Sequence, residues 1–354
     1  MNMPPAGAAG FRDEVVSDPG LFPQKIDFFR QMILFVRLQR SDFQQASFLD
    51  DRILTPQTDG KWARFDSVES ALASAAPMRP LHFIFHAGHV GSTLLSRLLE
   101  EAGGVLALRE PLPLRALAEA QDVLGEIDSL ISPEQFDSLM RGQLLLWSRG
   151  YPDTRMVVVK ATSTAARLAP RLLAAHPSAR AIYLNLDFDS YLAALLAGDN
   201  SIVDLRGHGA ERMRRLQAFA APPATPLHAM SAGELAALAW VTETLTQTRL
   251  SEAFGPRVLS MDFNLMLRDV GGALRDACRH FDLSAPDAYF ANAPQSRVLQ
   301  RYAKAPEAPY SPRMRADILT QARALKAEEI LKGRRWIEAL SRRCPAVEAL
   351  FSPP

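Results

Sequence analysis

The sequence predicts an α/β fold with a mainly parallel central sheet covered on both faces. Three observations carry that prediction. Five short apolar runs, Leu81–His86, Val105–Leu108, Arg155–Lys160, Ala181–Leu186 and Arg257–Phe263, are separated by stretches of helical character. The runs are near-continuously hydrophobic instead of alternating, as strands buried on both faces are. The first of them stops at a glycine turn that opens a helix.

Taken in order, residues 1 to about 20 are rich in Pro, Gly and Ala and read as a loose arm. From Phe22 to Leu49 the spacing of Phe28, Phe29, Met32, Ile33, Phe35 and Val36 predicts a helix. Residues 1–78 are therefore expected to form an N-terminal extension, arm plus helix, docked by its aromatic side chains. The main domain is expected over 79–354. After the Ala87-Gly88 turn, Thr93 to Ala102 reads as a helix that Gly103-Gly104 ends. Val105–Leu108 is the second strand, and the β-branched Arg155–Lys160 the third. A helix over Ala165–Ala175 leads to the fourth, and a long one over Ala232–Phe254 to the fifth. A further helix is expected to end near Phe281.

The chain has 354 residues, 40 basic and 39 acidic, for a net charge of +1, which excludes a surface built for bulk nucleic-acid binding. Hydrophobic residues at 48% and charged residues at 22% are those of an ordinary globular protein large enough to bury its own core. Only Lys25, Lys61, Lys160, Lys304, Lys326 and Lys332 are lysines, so 34 of the 40 basic residues are arginines. A lysine in a candidate site is correspondingly informative. Cys278 and Cys344 are too few for a disulfide framework or a zinc cluster and are expected in the core. The N-terminus lacks a basic-then-apolar signal pattern, and no apolar run reaches the roughly 18 to 20 residues of a bilayer span. A soluble cytoplasmic protein is expected.

The most informative segment is Phe83-Ile84-Phe85-His86-Ala87-Gly88-His89-Val90-Gly91-Ser92-Thr93-Leu94-Leu95. A strand, a glycine turn and a Ser-Thr pair opening a helix make an anion cradle. Glycine allows close backbone approach, and the helix N-terminus adds partial positive charge. It is not a regular Walker A loop: His86 stands at the first glycine position and Ser92 at the lysine position. His82 and His86 fall on the strand and are expected to be core or supporting histidines.

His89-Val90-Gly91-Ser92-Thr93-Leu94-Leu95 resembles the phosphosulfate-binding loop of PAPS-dependent sulfotransferases, with His89 where that family usually carries Lys or Arg. The resemblance spans roughly residues 80–340. It implies a three-layer fold of the P-loop NTPase type and in-line transfer of a sulfuryl group from PAPS to a small-molecule or carbohydrate hydroxyl acceptor, with no metal. Gly88, His89, Val90, Gly91, Ser92, Thr93 and Leu94 would hold the 5′-phosphosulfate. Arg109 and Glu110 follow the second strand, and the resemblance implies Glu110 as the base and Arg109 as a nucleotide contact. It implies Lys160, closing the third strand, together with His89, as stabilisers of the transferring group.

The family's 3′-phosphate contacts, an Arg after the fourth strand and a Ser about eight residues on, align with Leu186 and Ala194, so both are missing here. Arg206 is the substitute considered from the following loop, and Lys332-Gly333-Arg334-Arg335-Trp336 is similar to the segment that closes over the nucleotide. Two other readings stand beside this one. The first is an ATP-using phosphotransferase, for which Asp187 is the available Mg²⁺-binding acid. The second is a catalytically inactive nucleotide- or partner-binding module on the same fold. No segment carries a signature of the acceptor or of oligomeric state.

Overall fold

Each of the five apolar runs is a strand, and together they form one sheet. We number the strands in chain order. β1 (Leu21–Asp27), β2 (Met32–Arg37) and β3 (Gly60–Arg64) precede the central strands β4 (Leu81–His86), β5 (Val105–Arg109), β6 (Met156–Lys160), β7 (Ala181–Asn185) and β8 (Val258–Asp262). The central order is β5-β6-β4-β7-β8. β6 pairs in parallel with both β5 and β4, with Arg109 opposite Lys160. Phe83 N donates to Arg180 O and Ala87 N to Leu184 O, the matched steps of a parallel ladder. Every residue of β4 to β7 is buried, so both faces of these strands are covered, whereas β8 is partly exposed. The computed structural model describes residues 8–198, 201–219 and 224–351.

The chain divides into two compact units. The first comprises Met1–Phe85, Thr93–Ala181 and Leu274–Ala291. Its N-terminal part departs from the expected arm plus helix. Residues 1–7 of the arm lie outside the described residues, but Ala8–Ser17 is a helix with Val15 buried. The stretch expected to be one helix is the β1–β2 hairpin, extended by β3 into an antiparallel sheet. Asp27 accepts from Arg30 N at the turn, and Gln31 takes φ +54°. Ile33 and Phe35 are buried and Met32 and Leu34 less so, a period of two that runs as far as buried Val36 and that the clustered phenylalanines masked.

Arginines fasten this part to the rest of the unit. Arg149 is buried and donates to Val15 O (2.9 Å) and Leu21 O (2.7 Å). Arg97 donates to Gln44 O and Gln45 O, both at 3.1 Å, at the end of the helix Arg40–Gln45.

The second unit comprises His86–Ser92, Ile182–Ala273 and Asn292–Pro354. Its axis is the helix Ala232–Phe254, opened by a capping box between Ser231 and Glu234. Against it packs the helix Ala327–Ser341, brought close because Gly233 and Gly333 present no side chain where the two backbones meet. Glu243, fully buried, accepts from Tyr183 (2.7 Å) and Arg215 (2.5 Å), which satisfies the buried charge. Cys344 is buried here, and Cys278 is buried in the first unit. No helix among the described residues is long and apolar enough to cross a membrane.

His82, on β4, is buried against Phe281, their rings stacked 4.9 Å apart, and its Nδ1 accepts from Arg180 N. Burial, with the Arg180 charge behind it, lowers the imidazole pKa from 6.5 to about 4. Between those values the unfolded chain binds the proton and the folded one does not, so stability falls as pH drops from about 6.5 to about 4. The loss attributable to His82 is bounded at about 3 kcal/mol. Urea denaturation across that window should show a slope that His82→Gln flattens; identical slopes would remove His82 as its source.

Candidate active site

The glycine loop belongs to the second unit and is clamped at its start. Ala87 N donates to Leu184 O, and Ala87 O accepts from the Tyr191 hydroxyl at 2.6 Å. Gly88 N donates to His86 Nδ1 at 3.1 Å, so this histidine shapes the turn from a buried position. Gly88, His89 and Gly91 then take φ of +95°, +56° and +73°. Gly91 is required twice over: its φ is left-handed, and an added Cβ would overlap the Phe263 ring. Val90 and Gly91 N–H groups make no hydrogen bond among the described residues. They lead directly into the helix Ser92–Glu101, whose first N–H groups have no partner within the helix.

In the first unit the strand ends bring together Glu110, Lys160 and Thr162. Glu110 N donates to Lys160 O at 2.6 Å, which carries the β5–β6 ladder one residue past β5. Glu110 adopts φ +53°, and its carboxylate forms an ion pair with Lys160 Nζ. Thr162 Oγ1 donates to the other carboxylate oxygen at 3.3 Å. Lys160 is fully buried and Glu110 nearly so. The described residues hold four non-glycine residues at positive φ. Gln31 sits in a hairpin turn and Asp282 ends the helix Val270–Phe281. The other two are His89 and Glu110, each at or just beyond a strand end, where a strained backbone costs about 1–2 kcal/mol and aims a side chain. Thr93 Oγ1, at the start of the helix after the loop, is buried without a hydrogen-bond partner among the described residues.

Several expected contacts are placed elsewhere. Arg109 is not available to a nucleotide: it is fully buried, with Nε on Ser96 Oγ, Nη1 on Phe43 O (2.9 Å) and Ala46 O (3.1 Å), and Nη2 paired with Glu100. Burial, helped by the Arg97 charge, lowers its pKa to about 9. Lys332-Gly333-Arg334 lies inside a helix, not a closing loop. Lys332 pairs with Glu328 and Glu329, Arg334 with Asp189, and Gly333 serves helix packing. Arg206 is exposed on the helix Ser201–Gly207. Leu94 is buried in the core, so within the loop segment it contributes packing. Asp187 caps the helix Phe188–Leu196 by accepting from Ser190 N and also accepts from Asn264 at 2.9 Å, so both its oxygens are engaged.

Two residues that the sequence reading missed are grouped in the second unit. Arg315 and Arg323 lie on the helix Pro312–Leu325. Arg315 packs its guanidinium 4.8 Å from the centroid of Phe263, the ring that fills the space beside Gly91. Its Nη2 is buried and unpartnered. Burial, with the Arg323 charge adding to it, lowers the Arg315 pKa. Among the described residues Arg323 hydrogen-bonds only to Ser190 Oγ, at 3.4 Å. Two neighbouring guanidiniums, one with a buried unsatisfied donor, form an arrangement that an oxyanion relieves. Leu186 and Ala194 offer no charge, but Ser190 stands between them in sequence and points its hydroxyl to Arg323. No sequence period links residue 190 to 323, so only tertiary contact reveals the group.

Two outcomes follow. Lys160→Met should cost about 3–5 kcal/mol in urea denaturation by leaving Glu110 unpaired, and adding Glu110→Gln should restore most of it. A double variant no more stable than Lys160→Met would refute the pairing as the cause. Gly91→Ala should lower stability by about 1–3 kcal/mol, because both the backbone and the Phe263 ring must shift; an unchanged midpoint would contradict the close packing.

No protein-family model matches the chain, and no curated protein matches it. Similar solved structures include the sulfotransferase domain from the curacin biosynthetic pathway, 14% identical, TM-score 0.40, covering 71% of this chain and 99% of that one. Sulfotransferase STF9 from Mycobacterium avium is 14% identical, TM-score 0.39, covering 92% and 98%. A sulfotransferase from Alicyclobacillus acidocaldarius is 15% identical, TM-score 0.37, covering 73% and 95%.

Proposed function

We propose that this chain is a PAPS-dependent sulfotransferase acting on a hydroxyl acceptor. The observation that carries the reading is the Glu110–Lys160 pair: a carboxylate and an ammonium held together at the carboxyl ends of adjacent parallel strands, with Glu110 in a left-handed backbone. Ligands of parallel α/β sheets bind beyond those ends.

The donor would supply an activated sulfuryl group. The residues suited to hold it are the N–H groups of Val90 and Gly91, the unpartnered Thr93 hydroxyl, Ser92 at the helix start, and His89 facing solvent. Arg315, Arg323 and Ser190 are suited to the distal phosphate in place of the absent family contacts. Glu110, paired with Lys160, takes the acceptor's hydroxyl proton. The acceptor oxygen then bonds to sulfur as the bond from sulfur to the bridging oxygen breaks, and adenosine 3′,5′-bisphosphate leaves. Protonation of Glu110 weakens its hold on Lys160, whose ammonium then stabilises the charge left on the bridging oxygen, with His89 as a second donor. A phosphotransferase reading would need a Mg²⁺-binding acid, and Asp187 is spent on the helix cap and Asn264.

Thermal shift distinguishes these readings, since a ligand selective for the native state raises its stability by about 2.7 kcal/mol at a hundred times Kd. Adenosine 3′,5′-bisphosphate should stabilise the protein more than AMP does, and Arg315→Gln should erase that difference. No shift with the bisphosphate, or a shift only with ATP and Mg²⁺, would sink the proposal. Glu110→Gln should lower transfer about 10²- to 10⁴-fold while bisphosphate affinity holds; parallel loss of both would refute its role as base.

A further inference from the structure

We propose that the acceptor carries an oxyanion, such as a carboxylate, sulfate or phosphate monoester, and that Arg115 with Arg52 reads it. The proposal rests on the sulfotransferase reading for the identity of this side as the acceptor's. Every group involved lies in the first unit. Leu49 N donates to Arg109 O at 2.6 Å and Leu49 O accepts from Leu112 N at 3.3 Å, so the segment around Leu49 is bonded to the chain on both sides of Glu110. That segment brings Phe48, Asp50 and Arg52 to the Glu110–Lys160 pair. The Phe48 ring centroid lies 5.9 Å from Lys160 Nζ and 3.6 Å from the Arg52 guanidinium carbon. The charge of Glu110 acts on Arg52, and that of Arg115 on Asp50.

The charges around this segment do not balance. Lys160 is matched by Glu110, and Arg52 by Asp50, which receives Nε at 2.8 Å and Nη2 at 2.5 Å. Asp51 pairs with Lys25. Arg115 is left over. It makes no hydrogen bond or ion pair among the described residues, and its Nε is buried and unpartnered. Glu119, one turn further along the same helix Leu112–Gln121, does not pair with it. A guanidinium donor removed from water without a partner is costly, and a bound oxyanion satisfies both the donor and the surplus charge. Arg52 adds an uncommitted Nη1 edge on a flat aromatic support.

The test uses two probes alike in shape and different in charge, 4-hydroxyphenylacetate and 4-hydroxyphenylacetamide, titrated into the full chain by calorimetry at low salt. The carboxylate should bind at least about tenfold more tightly, and Arg115→Gln should bring the ratio close to one. Arg52→Gln, at a largely exposed side chain, should reduce the ratio as well and carries the test if Arg115→Gln fails to fold. Equal affinities, no binding of the carboxylate, or a ratio unaltered in the folded variants would overturn the proposal. Adenosine 3′,5′-bisphosphate affinity is measured alongside: its absence would fail the sulfotransferase reading, while the carboxylate preference of the free protein would still stand or fall by itself.

Discussion

The candidate site depends on a buried guanidinium that never touches a ligand. Arg109 leaves the last residue of β5 and spends its donors on Ser96, on Glu100 and on the carbonyl oxygens of Phe43 and Ala46. Arg97 takes the neighbouring carbonyls of Gln44 and Gln45. The carbonyls ending a short helix have no intrahelical partners, and cationic donors satisfy them at both their hydrogen-bonding and their dipolar ends. The consequence is positional. With residues 43–46 pinned, Phe48 to Arg52 follow along the strand end that carries Glu110. An arginine-rich composition, which reads in the sequence as background, is thus used here as backbone fastening, with Arg149 doing the same for Val15 and Leu21.

At the strand ends a second constraint acts on single residues. Glu110 and His89 hold left-handed backbone without being glycine, and each cost is tolerated because the surroundings leave no alternative. For Glu110 the restraints are its N–H on Lys160 O and its carboxylate on Lys160 Nζ. Lysine, with a single compact ammonium, holds the carboxylate at one point, where a guanidinium fork would hold it more rigidly. Asp187, beyond β7, and Asp262, at the end of β8, are each tied to a helix cap, so they differ from Glu110 in what they are free to do.

The second unit handles charge in the opposite way. Glu243 is surrounded by Tyr183 and Arg215, whereas Arg315, though Asp187 and Asp262 act on it as well as Arg323, makes no hydrogen bond or ion pair with them among the described residues. Pairing offsets the desolvation of a buried charge, and a buried donor without a partner keeps that cost. Arg115 in the first unit belongs to the second kind.

The sequence by itself determined the strand–helix alternation, the five central strands, the glycine loop, and Glu110 and Lys160 as strand-end residues. These are local features, written in apolar runs of strand length and in turns that only glycine permits. Tertiary structure decided the rest. It turned the segment expected as an N-terminal helix into an antiparallel sheet, because partner strands supplied the hydrogen bonds that local periodicity could not weigh. It buried Arg109, enclosed Lys332-Gly333-Arg334 in a packed helix, and joined Ser190 to Arg323 across 133 residues. Which arginine fastens backbone and which keeps an unpartnered donor is set by the neighbours it meets, and in a chain with 34 of them the residue type alone carries no such information.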